Sequence, residues 1–278
     1  MLPGVDVSSF QGEPAAWRGE AGAIRWAAVK LTELQPPAAG RDPHYVNPDA
    51  AADWAFLKAQ GMGRIAYLFG HPSVPAAATV SFFTAELAKL GLADGDGVAV
   101  DLEVTDGLGP VAVDRWGLDV LRELDTQLGR SPLFYSFPSF ITAGNCASLG
   151  GYPLWLSNPS AAVGHPQLPV GPWKSCAIQQ TGITGAIDRD VAFYPSLAAM
   201  RAAIGKRLPP PPAKVVHWRP AWPLTLQQAA NRHHTTPEQM IALAAAAGWK
   251  YRPAMVAYIE KGDWNARLPL NVMLFAPA

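Results

Sequence analysis

Two carboxylates follow an apolar segment near the middle of the chain. Residues 98–100 are Val-Ala-Val, and they lead directly into Asp101, Leu102 and Glu103. Because side chains two residues apart on a strand share a face, the carboxylates of Asp101 and Glu103 are expected to converge where this strand ends. Close carboxylates cannot both ionise freely, so one of them keeps its proton near neutral pH. Glycoside hydrolysis needs this pairing of an acid with a carboxylate.

An isolated pair of this kind is more often a turn residue beside a helix cap. Two further segments favour a catalytic role instead. Asp6 lies in the apolar opening segment, residues 4–12, where a strand is predicted and where acids are rare without a function or a partner. Far downstream, Gln180 leads to Asp188 within residues 187–190. Three predicted strands that each supply an acid indicate a shared site.

The elements that would position these acids follow from hydrophobic periodicity and from glycine and proline. Strands are predicted at residues 4–10, 24–33, 63–70, 97–104, 131–137, 152–158, 176–181 and 187–193, and helices at 47–61, 75–91, 111–129 and 195–206. Pro75 can open the second helix, and Gly91 and Gly129 can close the second and third. Alternating strands and helices imply a mainly parallel sheet, and acids at the carboxyl ends of its strands imply a closed β/α barrel of the α/β class.

Short segments also occur in a recognisable order. They are GVDVSSFQG at 4–12, VKLTE at 29–33, IAYLF at 65–69, DLE at 101–103, PLFY at 132–135, PLWL at 153–156, and the later Gln180 and Asp188. This order resembles glycoside hydrolase family 25, the muramidases of the Chalaropsis type, many of which are phage endolysins. The resemblance covers roughly residues 4–205, about three quarters of the chain. It implies an irregular, TIM-like barrel in which loops replace some of the helices.

The resemblance also implies roles for individual residues. Glu103 would be the general acid, Asp101 would stabilise charge in the transition state, and Asp6 and Asp188 would line the site. The substrate-binding residues that it implies are Lys30, Glu33, Tyr67, Tyr135, Trp155 and Gln180. Among these, Trp155 is expected to be a sugar-facing platform, with Trp173 as a weaker candidate of the same kind. No cofactor and no metal ion is expected.

Three positions depart from the family pattern. A glycine, a histidine and a tryptophan are common where this chain has Leu34, Leu68 and Gln179. Because all four acids are present, we expect a peptidoglycan hydrolase that cuts the β-1,4 bond between N-acetylmuramic acid and N-acetylglucosamine. Two alternatives stay open: a catalytically lapsed wall-binding or virion structural protein on the same barrel, and a hydrolase of another N-acetylated glycan such as chitin.

Composition narrows the function classes. The 22 basic and 22 acidic residues balance, which argues against a nucleic-acid partner, and no apolar stretch approaches the roughly 18 residues of a membrane span. Cys146 and Cys176 are expected to be buried thiols. The chain starts almost directly in its first predicted strand, without a signal peptide. We therefore expect a monomer made in the host cytoplasm, released by lysis or a holin-type pore or carried in a virion, and acting on bacterial peptidoglycan.

The composition changes at residues 208–213, where four consecutive prolines predict a stiff linker. The predicted domains are the barrel at 1–207 and a small α+β domain at 214–278. In the second domain, helices are predicted at 224–230 and 236–243 and a closing strand at 269–275. This pattern resembles LysM, a βααβ module that binds N-acetylglucosamine, although Ala244 stands where LysM modules usually have asparagine.

Overall fold

The computed structural model describes residues 1–12, 17, 19, 22–38 and 42–205, and in the last part of the chain 215–218, 225, 227, 228, 240 and 274–277. The chain divides into two compact units, Met1–Leu208 and Pro209–Ala278. Among the described residues, no helix combines the length and the apolar character needed to cross a bilayer.

The first unit is built around a closed ring of strands. In chain order it contains β1 (Leu2–Val7), β2 (Trp26–Leu34), β3 (His44–Val46), α1 (Ala50–Ala59), β4 (Gly63–Phe69), α2 (Ala76–Leu90), β5 (Gly97–Asp101), α3 (Pro110–Leu128), β6 (Leu133–Ser136), β7 (Leu154–Ser157), β8 (Ile178–Thr184), β9 (Ile187–Ala192) and α4 (Leu197–Ile204). The ring runs β1-β2-β4-β5-β6-β7-β8-β9 and closes through the β9–β1 pairing, with β3 as a hairpin partner outside it. The predicted irregular barrel is confirmed.

The ring is parallel except at β9. Every neighbouring pair from β1 to β8 is parallel, whereas β9 is antiparallel to both β8 and β1. Only two residues separate β8 from β9, so the connection is a hairpin and no crossover helix fits. After β6, a helical turn at Pro138–Phe140 continues into one wide turn at Ile141–Asn145 in place of a full helix. Helices therefore cover the early half of the barrel better than the late half.

Strand side chains alternate between the lumen and the layer beneath the helices. In β5, Ala99 packs in the lumen with Trp26 and Trp155. Val98 and Val100 pack on the outside. The same alternation turns Asp101 toward the lumen and Leu102 outward, because successive strand residues point to opposite faces.

The lumen floor is filled with large aromatic rings at close approach. Gly4 in β1 has no side chain, and a Cβ there would lie 2.2 Å from the Trp26 ring. The Trp26 ring in turn meets the edge of Trp155 at 6.4 Å between centroids. Rings packed in this way fill the lumen at this level, as side chains do in small barrels.

The predicted elements match most of the first unit. Gly91 and Gly129 end α2 and α3 in the left-handed conformation, as expected. Strand β3 and the helical turns after β6 were missed. Cys146 is buried and Cys176 is half-buried, and both are free thiols. Burial raises the pKa of Cys146 to about 12 and that of Cys176 to about 11, so both thiols are protonated at neutral pH.

The second unit is described by one two-stranded sheet. Strand β10 (Val215–Trp218) is antiparallel to β11 (Leu274–Pro277), with Val215 opposite Pro277 and Trp218 opposite Leu274. Strand β11 overlaps the end of the closing strand predicted at 269–275. The predicted helices at 224–230 and 236–243 lie almost entirely outside the described residues, as does Ala244. The LysM-like module and the domain boundaries stay predictions.

Candidate active site

Four predicted catalytic acids meet at one end of the barrel. Asp6 lies near the end of β1 and faces Asp188 of β9 in the strand register. Asp101 is the last residue of β5, and Glu103 follows two residues later. The charges of Asp188 and Glu103 both raise the pKa of Asp6, and the charges of Glu103 and Asp6 raise that of Asp101. The structure therefore brings the four carboxyl groups into one electrostatically coupled cluster.

The backbone around Glu103 is anchored on both sides. Strand β5 ends at Asp101, earlier than the predicted limit of 104, but the chain stays tied to its neighbours. The Gly70 amide donates to the Asp101 carbonyl at 2.8 Å. The Leu102 amide donates to the Tyr135 carbonyl at 3.1 Å, and the Ser136 hydroxyl donates to the Leu102 carbonyl at 2.8 Å. These bonds hold the Glu103 side chain over the lumen without a regular strand.

Burial keeps protons on this cluster. Removal from water is the largest cause of a raised pKa at each of the four acids, and it raises the pKa of Asp6 to about 7. Asp101 is 8% exposed, and one of its oxygens, Oδ1, is buried without a hydrogen-bond donor among the described residues. Glu103 is only half-buried and can reach a ligand. Because the acids interact, their protons leave in shared steps rather than residue by residue.

A polar network joins Asp6 to the neighbourhood of Glu103. The Gln180 amide donates to Oδ2 of Asp6 at 2.9 Å. The Gln180 Oε1 atom accepts from the hydroxyls of Tyr135 and Ser157 at 3.0 and 2.7 Å. The Tyr135 hydroxyl also lies within hydrogen-bonding reach of Glu103. Tyr67 is buried close by, where Asp6 and Asp101 add to the effect of burial in raising its pKa.

Lys30 supplies a positive charge that acts on two of the acids. Its ammonium lies 2.6 Å from Oε2 of Glu33, and its charge lowers the pKa of both Asp101 and Glu103. Residues three apart point to opposite faces of a regular strand, but the β2–β4 register slips by one residue between Lys30 and Thr32. This bulge brings Lys30 and Glu33 to the same side.

The structure corrects the expected role of two tryptophans. Trp155 is 2% exposed, and its ring meets the edges of Tyr67 and Tyr135 with centroids 6.1 and 4.7 Å away. Trp173 is 4% exposed and stacks on Phe134 in the outer layer. Neither ring has a free face, so neither is a sugar-stacking platform. Trp155 instead forms the floor under the acids.

A fifth acid, Asp190, belongs to the same cluster. It is 2% exposed, and its Oδ1 accepts from the Trp155 ring nitrogen at 2.8 Å. Its Oδ2 is buried without a donor among the described residues, and its carboxyl group lies within hydrogen-bonding reach of the Asp6 carboxyl group. Two carboxyl groups in contact need one proton between them, and burial raises the pKa of Asp190 well above its ordinary value. Sequence reasoning missed Asp190, although its place two residues after Asp188 put both on one face of a strand.

We predict that Asp190→Asn stabilises the protein above neutral pH. A raised pKa means that the stability contributed by Asp190 is full below about pH 4 and declines as rising pH removes its proton. An asparagine keeps the acceptor for Trp155, supplies a donor toward Asp6 and does not titrate. We expect a gain of about 1–3 kcal/mol near pH 8 and little gain near pH 4, measured by thermal unfolding. The exposed Asp94→Asn is the control, and an equal gain at both pH values would contradict the prediction.

Two of the three positions that depart from the family pattern, Leu68 and Gln179, lie outside the lumen. Leu68 is fully buried in the layer beneath the helices. Gln179 is also fully buried, accepts from the Gly164 amide at 2.9 Å and donates to the Ala162 carbonyl at 3.2 Å. Leu34 is buried at the end of β2. Leu68 and Gln179 therefore leave the cluster of four acids intact.

Sequence reasoning also missed a charged bridge at the rim of the barrel. His71, in the loop after β4, contacts both Glu33 and Asp106. No sequence signal joins these residues, which come from three different segments. Among the described residues, no group of three or more histidine, cysteine, aspartate or glutamate side chains is arranged to hold a metal ion.

Comparison with known proteins agrees with this geometry. Glycosyl hydrolases family 25 matches residues 5–180. Solved structures with the same fold include a muramidase from Trichobolus zukalii (22% identity, 74% of this chain and 99% of that one, TM-score 0.61) and the bacterial lysozyme from Streptomyces coelicolor (20%, 73% and 97%, TM-score 0.61). A family 25 lysozyme from Aspergillus fumigatus is also similar (18%, 73% and 98%, TM-score 0.56). None of the curated proteins compared with this chain matches it. Because the family match spans more than half of the sequence and the fold agrees, the chain belongs to glycosyl hydrolases family 25.

Proposed function

We propose that the barrel is a muramidase, which hydrolyses the β-1,4 bond between N-acetylmuramic acid and N-acetylglucosamine in peptidoglycan. The observation that carries the proposal is the pair at the end of β5: half-buried Glu103, whose pKa is raised, next to buried Asp101. This pair combines a proton donor that reaches the ligand with a carboxylate held beneath it. The muramidases and lysozymes of the same fold support the choice of substrate.

Glu103 is the general acid of the proposed reaction. Its proton passes to the glycosidic oxygen as the bond to the leaving sugar breaks. The positive charge of Lys30 lowers the pKa of Glu103 and so limits the rise that burial causes. Asp101 is shielded by burial, and its unpartnered Oδ1 is suited to accept the N–H of a substrate acetamido group. That contact would orient the acetamido oxygen for attack on the anomeric carbon, which is the substrate-assisted route.

The role in the cell is a further part of the proposal. We infer a phage endolysin or virion-associated lysin, acting as a monomer on the wall, with the second unit as a LysM-like glycan-binding module. The division of the chain into two compact units supports a separate binding module. The lapsed-enzyme alternative is disfavoured because Leu68 and Gln179 lie outside the lumen.

Analysis of the reaction products tests which glycosidic bond the protein cleaves. Purified peptidoglycan is digested, the fragments are reduced with borohydride, and their ends are identified by mass spectrometry. We expect muramitol ends, because a muramidase leaves N-acetylmuramic acid at the new reducing terminus. Glucosaminitol ends would move the cut to the other glycosidic bond. Binding to the wall without release of fragments would favour a catalytically inactive wall-binding protein. Cleavage of chitin in preference to peptidoglycan would favour a hydrolase of another N-acetylated glycan.

A further inference from the structure

His71 lies between two carboxylates at the rim of the site. Its Nε2 is 3.1 Å from Oε1 of Glu33, and its Nδ1 is 3.0 Å from Oδ1 of Asp106. Glu33 comes from β2 and Asp106 from the loop after β5, so the ring joins three segments of the rim. All three side chains are 14–16% exposed. The side chains are therefore mostly covered, although Asp106 as a whole residue is exposed.

The geometry requires a charged ring. A carboxylate only accepts hydrogen bonds, and a neutral imidazole has a single N–H, so neutral His71 would turn a lone pair toward one of the two carboxylates. The imidazolium donates to both. The charged groups facing the ring are Glu33 and Asp106, with Lys30 behind Glu33 at 2.6 Å. These contacts raise the pKa of His71 above its ordinary value of 6.5, the bond to Glu33 being the largest cause that does so.

One end of the bridge holds the loop that carries Glu103. Asp106 is the one described residue other than glycine with a positive φ, at 49°, a backbone conformation that is unfavourable for most residues with a side chain. Its carboxylate offsets that cost by accepting from His71 and, through Oδ2, from the amide and hydroxyl of Ser73 at 3.1 and 2.9 Å. Asp106 lies three residues beyond Glu103 in the same loop.

At the other end of the bridge, Glu33 holds Lys30, whose charge acts on Asp101 and Glu103. Glu33 accepts from Lys30, from the Gln35 amide at 2.9 Å and from His71. Without His71, Glu33 keeps its contact with Lys30 but loses its tie to the loop of Glu103. The distance between the Lys30 ammonium and the Glu103 carboxyl then depends on a loop that is no longer joined to β2 by this bridge.

We propose that His71 is a positioning residue that, as an imidazolium, joins the Glu103 loop to the Lys30–Glu33 pair and releases that loop when it loses its proton. The inference rests on the proposed muramidase function, in which Glu103 must be aimed at the glycosidic oxygen. Activity would then depend on the charge of a residue that touches neither substrate nor reacting atoms. A misdirected general acid lowers kcat more than it changes KM.

The test compares wild type with His71→Gln across pH. The ratio of their kcat values on soluble glycan fragments at each pH removes the pH dependence that the two proteins share. We expect a ratio of about tenfold near pH 5, falling toward one once His71 is neutral in wild type, with KM changed less than kcat. A ratio of one throughout, or one independent of pH, would overturn the proposal. His44→Gln is the matched control, because His44 pairs with Asp42 on the exposed side of β3.

A readout that needs no activity separates this proposal from the proposed function. The ring protons of His71 report its titration by NMR, with the signal assigned from its loss in His71→Gln. We expect a midpoint above 6.5 in wild type and a lower midpoint in Asp106→Asn, which removes one charge from the bridge. An unmoved midpoint in Asp106→Asn would refute the bridge. Normal titration in a protein without hydrolytic activity would instead refute the muramidase proposal.

Discussion

Glu103→Gln is expected to lower kcat on peptidoglycan by about 10²–10⁴-fold while the barrel stays folded. Glutamine keeps the size and the hydrogen-bonding capacity of the side chain but has no proton to give to the leaving oxygen. Because burial raises the pKa of Glu103, removing the carboxyl also removes a group that resists burial when charged. At pH values above neutral, the melting temperature of Glu103→Gln should therefore equal that of wild type or be slightly higher.

Release of reducing ends from purified walls measures the first part, and thermal unfolding measures the second. Glu86→Gln makes the same chemical change on the outside of α2, where Glu86 pairs with Lys89, and it should leave kcat unchanged. Full activity of Glu103→Gln with an unchanged melting curve would remove Glu103 from the role of general acid. If Glu103→Gln loses both activity and fold, Glu103→Asp is measured instead. Aspartate keeps the carboxyl group but has a side chain that is shorter by one methylene.

The residue pattern was enough to place the four predicted catalytic acids at one end of the barrel, because each lies in or just after an apolar strand. Parallel strands of a β/α barrel end at the same rim, so Asp6 and Asp101 were expected to meet despite the 94 residues between them. The residue pattern also gave the correct face: Asp101 and Glu103 share the lumen side, while Leu102 packs outward. Local periodicity and barrel closure are enough for this inference.

Other features depend on contacts that periodicity does not encode. A tryptophan in an apolar strand is equally compatible with a sugar platform and with a floor, and only the packing of Trp26 and Tyr67 around Trp155 decides between them. The bridge from His71 to Glu33 spans 38 residues and is formed by loop conformation. The Lys30–Glu33 pairing needed a bulge, which shifts the strand register by one residue.

The irregular half of the barrel shows the same limit. The family resemblance correctly implied that some helices are missing, but the sequence pattern did not indicate that β9 runs antiparallel. That direction matters for the site, because the hairpin places Asp188 opposite Asp6 and Asp190 opposite Gly4. Since Gly4 has no side chain, the β1 strand leaves room in the lumen for the Trp26 ring, and the acids lie above this floor. Site geometry thus follows from strand direction as well as from residue type.

Asp101→Asn is expected to reduce kcat by about 10²–10³-fold, the size of effect seen when one preorganised polar contact to a transition state is lost. In the substrate-assisted route, Oδ1 of Asp101 accepts the acetamido N–H. An asparagine can place its side-chain NH₂ group where Oδ1 of Asp101 was, so that two N–H donors face each other. Because burial raises the pKa of Asp101 well above its ordinary value, the substitution should not destabilise the fold near neutral pH. Asp119→Asn, on the exposed side of α3, is the control.

The same experiment separates the two possible roles of Asp101. A direct nucleophile would form a covalent glycosyl-enzyme, visible as a mass increase on the intact protein, and would still cut glycan whose muramic acid lacks the acetyl group. Substrate assistance predicts no adduct and resistance of the deacetylated glycan, because the attacking oxygen belongs to that acetyl group. The burial of Asp101 favours substrate assistance. The residue is only 8% exposed, so its carboxyl group is placed to orient a bound group rather than to bond to the anomeric carbon. An adduct on Asp101 would overturn this assignment and leave the role of Glu103 unchanged.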